Sequence, residues 1–481
     1  MGRGQIHSLS PPDHPPTDEP MKHETLTCLT LFTLTCLATA QSRHEVAPDH
    51  RRAYPLNTIV AVTSDGLWFP DSNSATPLLH IPASGFPGAA GTAGALKRPA
   101  IEWDRRTDTF LVSSGPQLFR VRVADLSPPS WFIEDLTPEP SITLDLWDLD
   151  VHPGTGELFL LDQTNNEVLR FSPPFAQGML TTLVLPVPPT SRSMAVDSRS
   201  YPPAVIVTET SQTTRMEFDG TAVLLNFFTA GRGCDQDPQF AGHAGSYMVA
   251  TNTDRVARAA SSPNVVIDLN LFGGCKPLVL APTDVEWNPI KPRAYVFTED
   301  GISQACLGGM PATGPNHIVR FPIAQAPPKV VPQLMTYEGG SGMTGSSGDL
   351  TLVLGDFAFM SPYGEGCSGG SASAIRLDST TIPRLGTTAL QFDVENAAPQ
   401  SAVQLIVGLT STQIPLIGGC DMLVTPDLIE FVGTTNAQGK LAFTWTLPFV
   451  PTAGFELFVQ VAVDNGGVQE LTQALQVHFG K

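Results

Sequence analysis

Basic residues are scarce in this chain: 27 lysines and arginines stand against 46 aspartates and glutamates, a formal net charge of −19. A nucleic-acid backbone or an anionic membrane surface would demand a basic patch, so nucleic acid is excluded as the expected partner. Charged residues of both signs make up only 15% of the 481 residues, and no long stretch repeats apolar residues at helical spacing, which argues against long amphipathic helices. Beyond residue 40 no stretch reaches about eighteen uninterrupted apolar residues, so no transmembrane helix is expected. The histidines form no H-E-x-x-H or paired pattern, which argues against a zinc hydrolase. What the chain has in quantity is proline (44) and glycine (42), the composition of many short strands joined by turns.

Residues 148–171, DLDVHPGTGELFLLDQTNNEVLRF, show how those strands are organised. Leu149 and Val151, then Leu158 and Leu160, then Val168 and Phe171 alternate with polar residues and are broken by His152-Pro153-Gly154 and by Gln163 to Asn166. Three short antiparallel strands account for that pattern. The phrase returns at 101–123, at 194–218 and at 285–300, resuming at 317–322, with a weaker copy at 61–81. Anchored on the middle strand, copies start near 67, 110, 158, 204, 247 and 294, a period of about 43–48 residues that falls in the range of propeller blades. The fold class expected is all-β: a six-bladed β-propeller over 57–357, followed by a C-terminal β-sandwich. The late strand at 350–357 is available to close the ring beside the first blade, and a seventh, incomplete blade on that strand is the competing count.

Ahead of the blades, residues 21–40 have a basic start at Lys22, an apolar run from Leu26 to Leu37, and small residues before Gln41. That is a secretory signal peptide, cleaved near Ala40. Residues 1–20 read as an extension from an upstream start, with Met21 the real one, and 41–56 as a disordered lead-in. The expected location is therefore extracellular or attached to the cell surface. After a linker at 358–367, residues 368–481 hold seven or eight alternating strands without the blade phrase, which suggests the sandwich.

Two of the seven cysteines leave with the signal peptide. Cys367 is expected to pair with Cys420, because the two are isolated together in the C-terminal third. Cys234 and Cys275 each follow what reads as the fourth strand of a blade, and Cys306 lies in a connection opening on the same face. Cys275 with Cys306 is the favoured bridge and Cys234 with Cys275 the alternative.

Stacked in columns, the innermost strands put apolar residues such as Trp103 and Trp287 on one parity and Glu102, Asp148, Asp150, Asp284 and Glu286 around the central channel. Carboxylates so close repel one another unless a cation or a basic group sits among them, and hard oxygen ligands favour calcium or another divalent cation. The plainer alternative is that they are solvated acids or partners for backbone amides. Blades one and five offer no acid in the matching column. Asp104, His152, Asp197 and Asn288 occupy the next column, directly before a turn, where such side chains bond to nearby amides. Gly366 to Gly370 matches G-x-S-x-G without a strand-to-helix elbow, so it carries no nucleophile.

The repeated strand, turn, strand, D-x-x-N, strand phrase, clearest from Asp162 to Arg170, resembles six-bladed propellers of the NHL-repeat and gluconolactonase-like kind over about 300 residues. That resemblance implies a divalent ion at Glu102, Asp150 and Glu286. The C-terminal part resembles a module of large secreted bacterial proteins, through Tyr363, Gly364, Gly366, Cys367, Gly419, Cys420 and the closing strand at 474–480. It implies surface retention, sorting or carbohydrate contact. The function expected is a binding or interaction module for a protein, glycan or small-molecule ligand. A metal-dependent lactonase or related hydrolase is the alternative, and a structural envelope protein the third. The candidate binding face is the one overhung by the insertion 301–316, on which the strands of Asp148 and Asp284 begin.

Overall fold

The computed structural model describes residues 54–481 apart from 72–75, 89–93, 139–142, 201–202, 227–230, 237–246, 252–254, 260–264, 269–281, 289–292, 299–315, 323–335, 340–342, 347, 356, 368–373 and 417–418. The chain falls into two units, 1–51 and 52–481, and every described residue belongs to the second. The signal peptide, the 1–20 extension, most of the lead-in, Cys275, Cys306, the serine of the G-x-S-x-G match and nearly all of the 301–316 insertion therefore lie outside the described residues.

Among the described residues the single helical element is one 3-10 turn, Ala83–Gly85. Six four-stranded antiparallel sheets form the propeller. Blade three shows the pattern: Leu146–Val151, Leu158–Asp162, Glu167–Phe171 and Leu183–Pro186 pair in that order from the channel outward. The D-x-x-N phrase makes its hairpin. Asp162 accepts the Asp145 and Thr164 amides at 2.8 and 3.0 Å, Asn165 donates to its other oxygen at 2.6 Å, and Asn166 takes the positive φ (54°) that the turn needs.

The innermost strands are Asp349–Leu352, Ala100–Asp104, Leu146–Val151, Ser191–Asp197, Gly231–Gln236 and Pro282–Asn288, which neighbour one another in a closed ring. The late strand is thus the inner strand of blade one, paired with Ile59–Thr63 through Leu350 opposite Ala61, and no seventh sheet arises from it. The apolar parity of these strands packs between blades: Ile101, Trp103, Leu149, Val151, Met194 and Val196 are all buried. Each large apolar side chain so buried contributes roughly 1.5–3 kcal/mol relative to exposure.

Cys234 belongs to the inner strand of blade five, where sequence spacing put it after the fourth strand of blade four. Gly231 and Gly233 precede it on the strand and erase the apolar alternation that marks the other inner strands. Its thiol is buried and free.

The C-terminal part packs a six-stranded sheet on a three-stranded one made by Arg376–Ser379, Ala389–Glu395 and Leu441–Thr446. Leu390, Phe392, Val403, Leu405, Trp445, Val459, Val461 and Val477 fill the space between them. The expected linker at 358–367 is corrected here. Phe359–Tyr363 is a strand at the edge of the larger sheet, paired with Ala474–His478, and Met360 enters the sandwich core. Pro362 hid it in sequence, since proline is tolerated at a sheet edge but reads as a breaker. Cys367 and Cys420 are bonded, with Cα atoms 5.3 Å apart.

The two parts meet at the lower end of the propeller, where the inner strands finish. Ser361 donates to the Ser198 carbonyl at 3.0 Å, and Arg105 reaches Glu456 at 3.6 Å while its guanidinium lies 4.5 Å from the Phe359 ring. Gly154 sits against Ser361 so closely that a Cβ there would come within 2.8 Å of the serine Cβ, which requires glycine.

The Cys367–Cys420 bridge closes a loop of sequence separation 53, for which chain entropy gives about 4 kcal/mol. The Cys367→Ser, Cys420→Ser double variant is expected to lower sandwich stability by about 3–4 kcal/mol in urea titrations, with reductant then having no further effect.

Candidate functional site

An inner propeller strand has one edge with no partner strand, facing the channel, and its amides need acceptors. The channel acids supply them. Asp148 accepts the Leu149 amide with one oxygen (2.9 Å) and, with the other, the Met194 amide of the next blade (2.7 Å). Two residues on, Asp150 repeats this with Val151 (2.6 Å) and Val196 (2.6 Å). Asp284 accepts from Leu350 at 3.1 Å, and Asp349 from Ile101 at 2.7 Å. Each of these carboxylates therefore ties its own blade to the next one.

The bonds fix the register of the ring. Asp148, Asp284 and Asp349 form an upper layer; Glu102, Asp150, Asp235 and Glu286 form a layer below it. The structure brings Glu102, Asp148, Asp150, Asp284 and Glu286 together around the channel. Two were missed: Asp349 in blade one and Asp235 in blade five, the blades that seemed to lack an acid. Asp349 lies in the closing strand, whose inner position was not foreseen, and Asp235 follows the glycines that conceal blade five's inner strand.

Six of the seven acids keep partial exposure to the channel lumen, yet all lie deep in the molecule. Burial pushes Glu102 and Glu286 well above the carboxylate range, reinforced for Glu102 by the charges of Asp150 and Asp235 and for Glu286 by Asp235 and Glu102. Asp150 is raised by burial to about 7, against the pull of its two amide bonds. Asp349, pushed up by burial and then by the charge of Asp284, hydrogen-bonds to Asp284 and holds the proton between them. Protonation thus relieves part of the repulsion that a cation was expected to relieve. Among the described residues no three of these groups converge as ligands for a metal ion.

The lower layer opens into a cavity of about 80 Å³, lined by Glu102, Asp150, Asp235 and Glu286 above and by Leu354 and Phe357 below. Its volume is far below the roughly 300–1,000 Å³ of small-ligand clefts.

Turn-forming roles hold for Asp104, Asp197 and His152 of the next column, whereas the turn after Asn288 lies outside the described residues. Asp104 accepts the Arg106 amide (3.0 Å), and Asp197 the Arg199 amide (3.2 Å). His152 accepts the Gly154 and Thr155 amides at Nδ1 (3.2 and 3.0 Å). Its Nε2 stands 3.3 Å from Ser361 Oγ, a spacing that invites comparison with a nucleophile and its base. The tautomer forbids that role: with Nδ1 accepting twice, Nε2 carries the hydrogen and has no lone pair for the serine. Burial, with the Arg170 charge, holds this imidazole neutral down to about pH 3.

At the upper mouth a cluster absent from the sequence reading appears. Trp147 lies under the guanidinium of Arg98 (4.2 Å from the ring centre) and beside that of Arg192 (5.7 Å). Its Nε1 donates to Asp145 (3.2 Å), which also pairs with Lys97 at 2.7 Å. Trp147 and Arg192 both fall at register shifts, between Leu146 and Asp148 and between Ser191 and Ser193. A bulge re-aims its extra residue out of the alternation, so strict period-two reading passes over both.

No family profile matches the chain, and no curated protein matches it. Among solved structures it is similar to a functionally unknown protein from Desulfotomaculum acetoxidans, at 13% identity over 78% of this chain and 98% of that one (TM-score 0.35). It is also similar to hydrazine synthase from Kuenenia stuttgartiensis, at 11% over 66% and 76% (0.29). The Pan2 WD40 domain from Neurospora crassa matches at 7% over 51% and 71% (0.33). The fold rests on the strand pairing above, and none of these alignments brings a function to the chain.

A raised carboxylate pKa means that the folded chain holds more protons than the unfolded one, so stability falls as pH climbs from near 3.8 to the raised value, about 7 for Asp150. His152, lowered from 6.5 to about 3, acts the opposite way between those two values and is silent above them. The melting temperature is therefore expected to fall between pH 6.5 and 8, and Asp150→Asn to make that fall shallower. Calorimetry across the range checks both; a wild-type Tm that rises there removes the carboxylate account.

Proposed function

We propose that this chain is a secreted or surface-held binding protein whose propeller offers its upper face to a ligand or partner, while the sandwich displays or tethers it. The observation that carries this reading is the inequality of the two faces. The lower face is engaged by the sandwich through Ser361 and Arg105, whereas no described sandwich contact reaches the upper mouth. At that mouth Arg192 is exposed, and its contact among the described residues is the Trp147 ring. Arginine and tryptophan are the side chains that most often anchor interfaces.

The small cavity beneath the acids supports binding over catalysis within the channel, because it leaves a substrate too little room. Secretion is supported by the Cys367–Cys420 bond, which belongs to oxidising compartments. Arg192→Glu is expected to weaken at least one ligand that emerges from a screen of glycans, proteins and small molecules, the one held at the upper face, by about tenfold, roughly 1.4 kcal/mol. The exposed position should leave Tm unchanged. A screen that returns no ligand weakened by this variant turns the reading of the upper face towards a structural envelope role.

The hydrolase reading is favoured by one feature, the two layers of facing acids. Elemental analysis of residues 41–481, with melting repeated in chelator, decides it. The binding proposal expects no stoichiometric divalent ion. Calcium or another divalent ion bound one to one, and lost in Glu102→Gln or Glu286→Gln, would replace it with metal-assisted hydrolysis.

A further inference from the structure

A groove of about 510 Å³ runs between blades two and three on the lower side, outside the area engaged by the sandwich. Three arginines line it, Arg106, Arg120 and Arg122, in a chain whose net charge is −19. The carboxylates near them are already engaged. Asp104 accepts the Arg106 amide and the Thr107 hydroxyl, and Glu134 pairs with Arg120 at 2.7 Å. Arg122 is exposed and has no ion pair among the described residues.

The guanidinium groups are held in place. Arg106 lies across Gly156, where a Cβ would come within 2.5 Å of its Cδ, and its Nη1 donates to the carbonyls of Gly154 and Thr155. Arg120 donates from Nη1 to Glu134 and from Nη2 to the Phe175 carbonyl, and its Nε is buried with no acceptor. Arg120 and Arg122 are two apart on the strand Gln117–Leu126, so they project to the same face about 7 Å apart along the backbone. Arginine forks match the geometry of carboxylate and sulfate oxygens.

We propose that this groove binds an acidic oligosaccharide, its carboxylate or sulfate groups taken by Arg106, Arg120 and Arg122. The volume lies within the range of about 300–1,000 Å³ typical of small-ligand clefts. A peptide fits less well, because the strand bearing Arg120 and Arg122 is paired on both sides, with Thr109–Ser114 and Pro129–Asp135, and offers no free edge to an extended backbone. Recognition must come from side chains spaced along the groove, which suits a chain carrying pendant oxyanions. The net charge of the protein selects for short anionic segments and against long polyanions. The prolines 173 and 174 form the opposite wall, where a sugar ring can lie without losing hydrogen bonds.

Titration of the full chain with tri-galacturonate, followed by calorimetry, tests this. Binding is expected, at least tenfold weaker in Arg122→Gln and in Arg106→Gln, weakened again between 50 and 200 mM salt, and unchanged in Arg192→Glu. Arg122 is exposed and makes no side-chain hydrogen bond or ion pair among the described residues, so an unchanged Tm in Arg122→Gln separates lost binding from unfolding. Equal binding of a neutral trisaccharide, binding indifferent to Arg122→Gln, or binding of polyglutamate alone would overturn the proposal. Loss in Arg192→Glu only would also overturn it, by moving the anion to the upper mouth.

Discussion

The propeller is a ring of sheets whose inner strands do not pair with one another as strands, and each inner strand is left with amides turned towards the channel. A backbone amide buried without an acceptor costs about as much as a lost hydrogen bond. Carboxylates on the neighbouring strand meet that need twice over in blade three, where Asp148 and Asp150 each take one amide from home and one from blade four. Closing the ring uses the same device, through Asp284 to Leu350 and Asp349 to Ile101. The presence of Asp148, Asp150, Asp284 and Asp349 in the channel follows from this requirement. So do the raised carboxylate pKa values, since groups placed to accept amides in a narrow lumen are also placed to repel one another.

The lower end shows how the second part of the chain is fixed. His152 is a turn former in blade three and, through its other nitrogen, a neighbour of Ser361; Arg105 lies in the equivalent turn of blade two and spans to Glu456. The side chains that shape the turns thus also seat the sandwich. Glu456 in turn holds His478 at 2.9 Å, and that ring stacks 4.9 Å from Phe359, so the contact extends into the sandwich sheet. Burial of His152 keeps it neutral and committed to its amides, which makes it a strut.

Most of the architecture was legible because a blade repeats. Leu149, Leu160 and Val168 alternate strongly enough to mark strands, and the Asp162 turn carries its own signature. The acids of the channel were legible for the same reason, as polar residues at fixed phase in apolar strands. What escaped were positions where the phase is broken. Gly231 and Gly233 dilute the inner strand of blade five and so hid Asp235. Pro362 disguised a strand that uses its edge position to tolerate it. Trp147 and Arg192 sit at bulges, where alternation fails by construction. The inner place of Asp349–Leu352 is a long-range fact: its partners, Ile59–Thr63, are nearly three hundred residues earlier, and no local pattern records such a pairing.

That pairing also orders events in time. Blade one has only three of its strands until residue 352 has been synthesised, and five further blades are made before it can be completed. The ring therefore stays open through almost all of propeller synthesis, with the edge of Ile59–Thr63 unpaired and open to mispairing, the exposure that makes β-rich chains with distant partners slow to fold and prone to associate. Only six residues separate the closing strand from Phe359–Tyr363, the first strand of the sandwich. Completion of the ring and seeding of the second domain are thus nearly simultaneous, and a nascent chain stalled before residue 349 would carry five finished blades and an open seam.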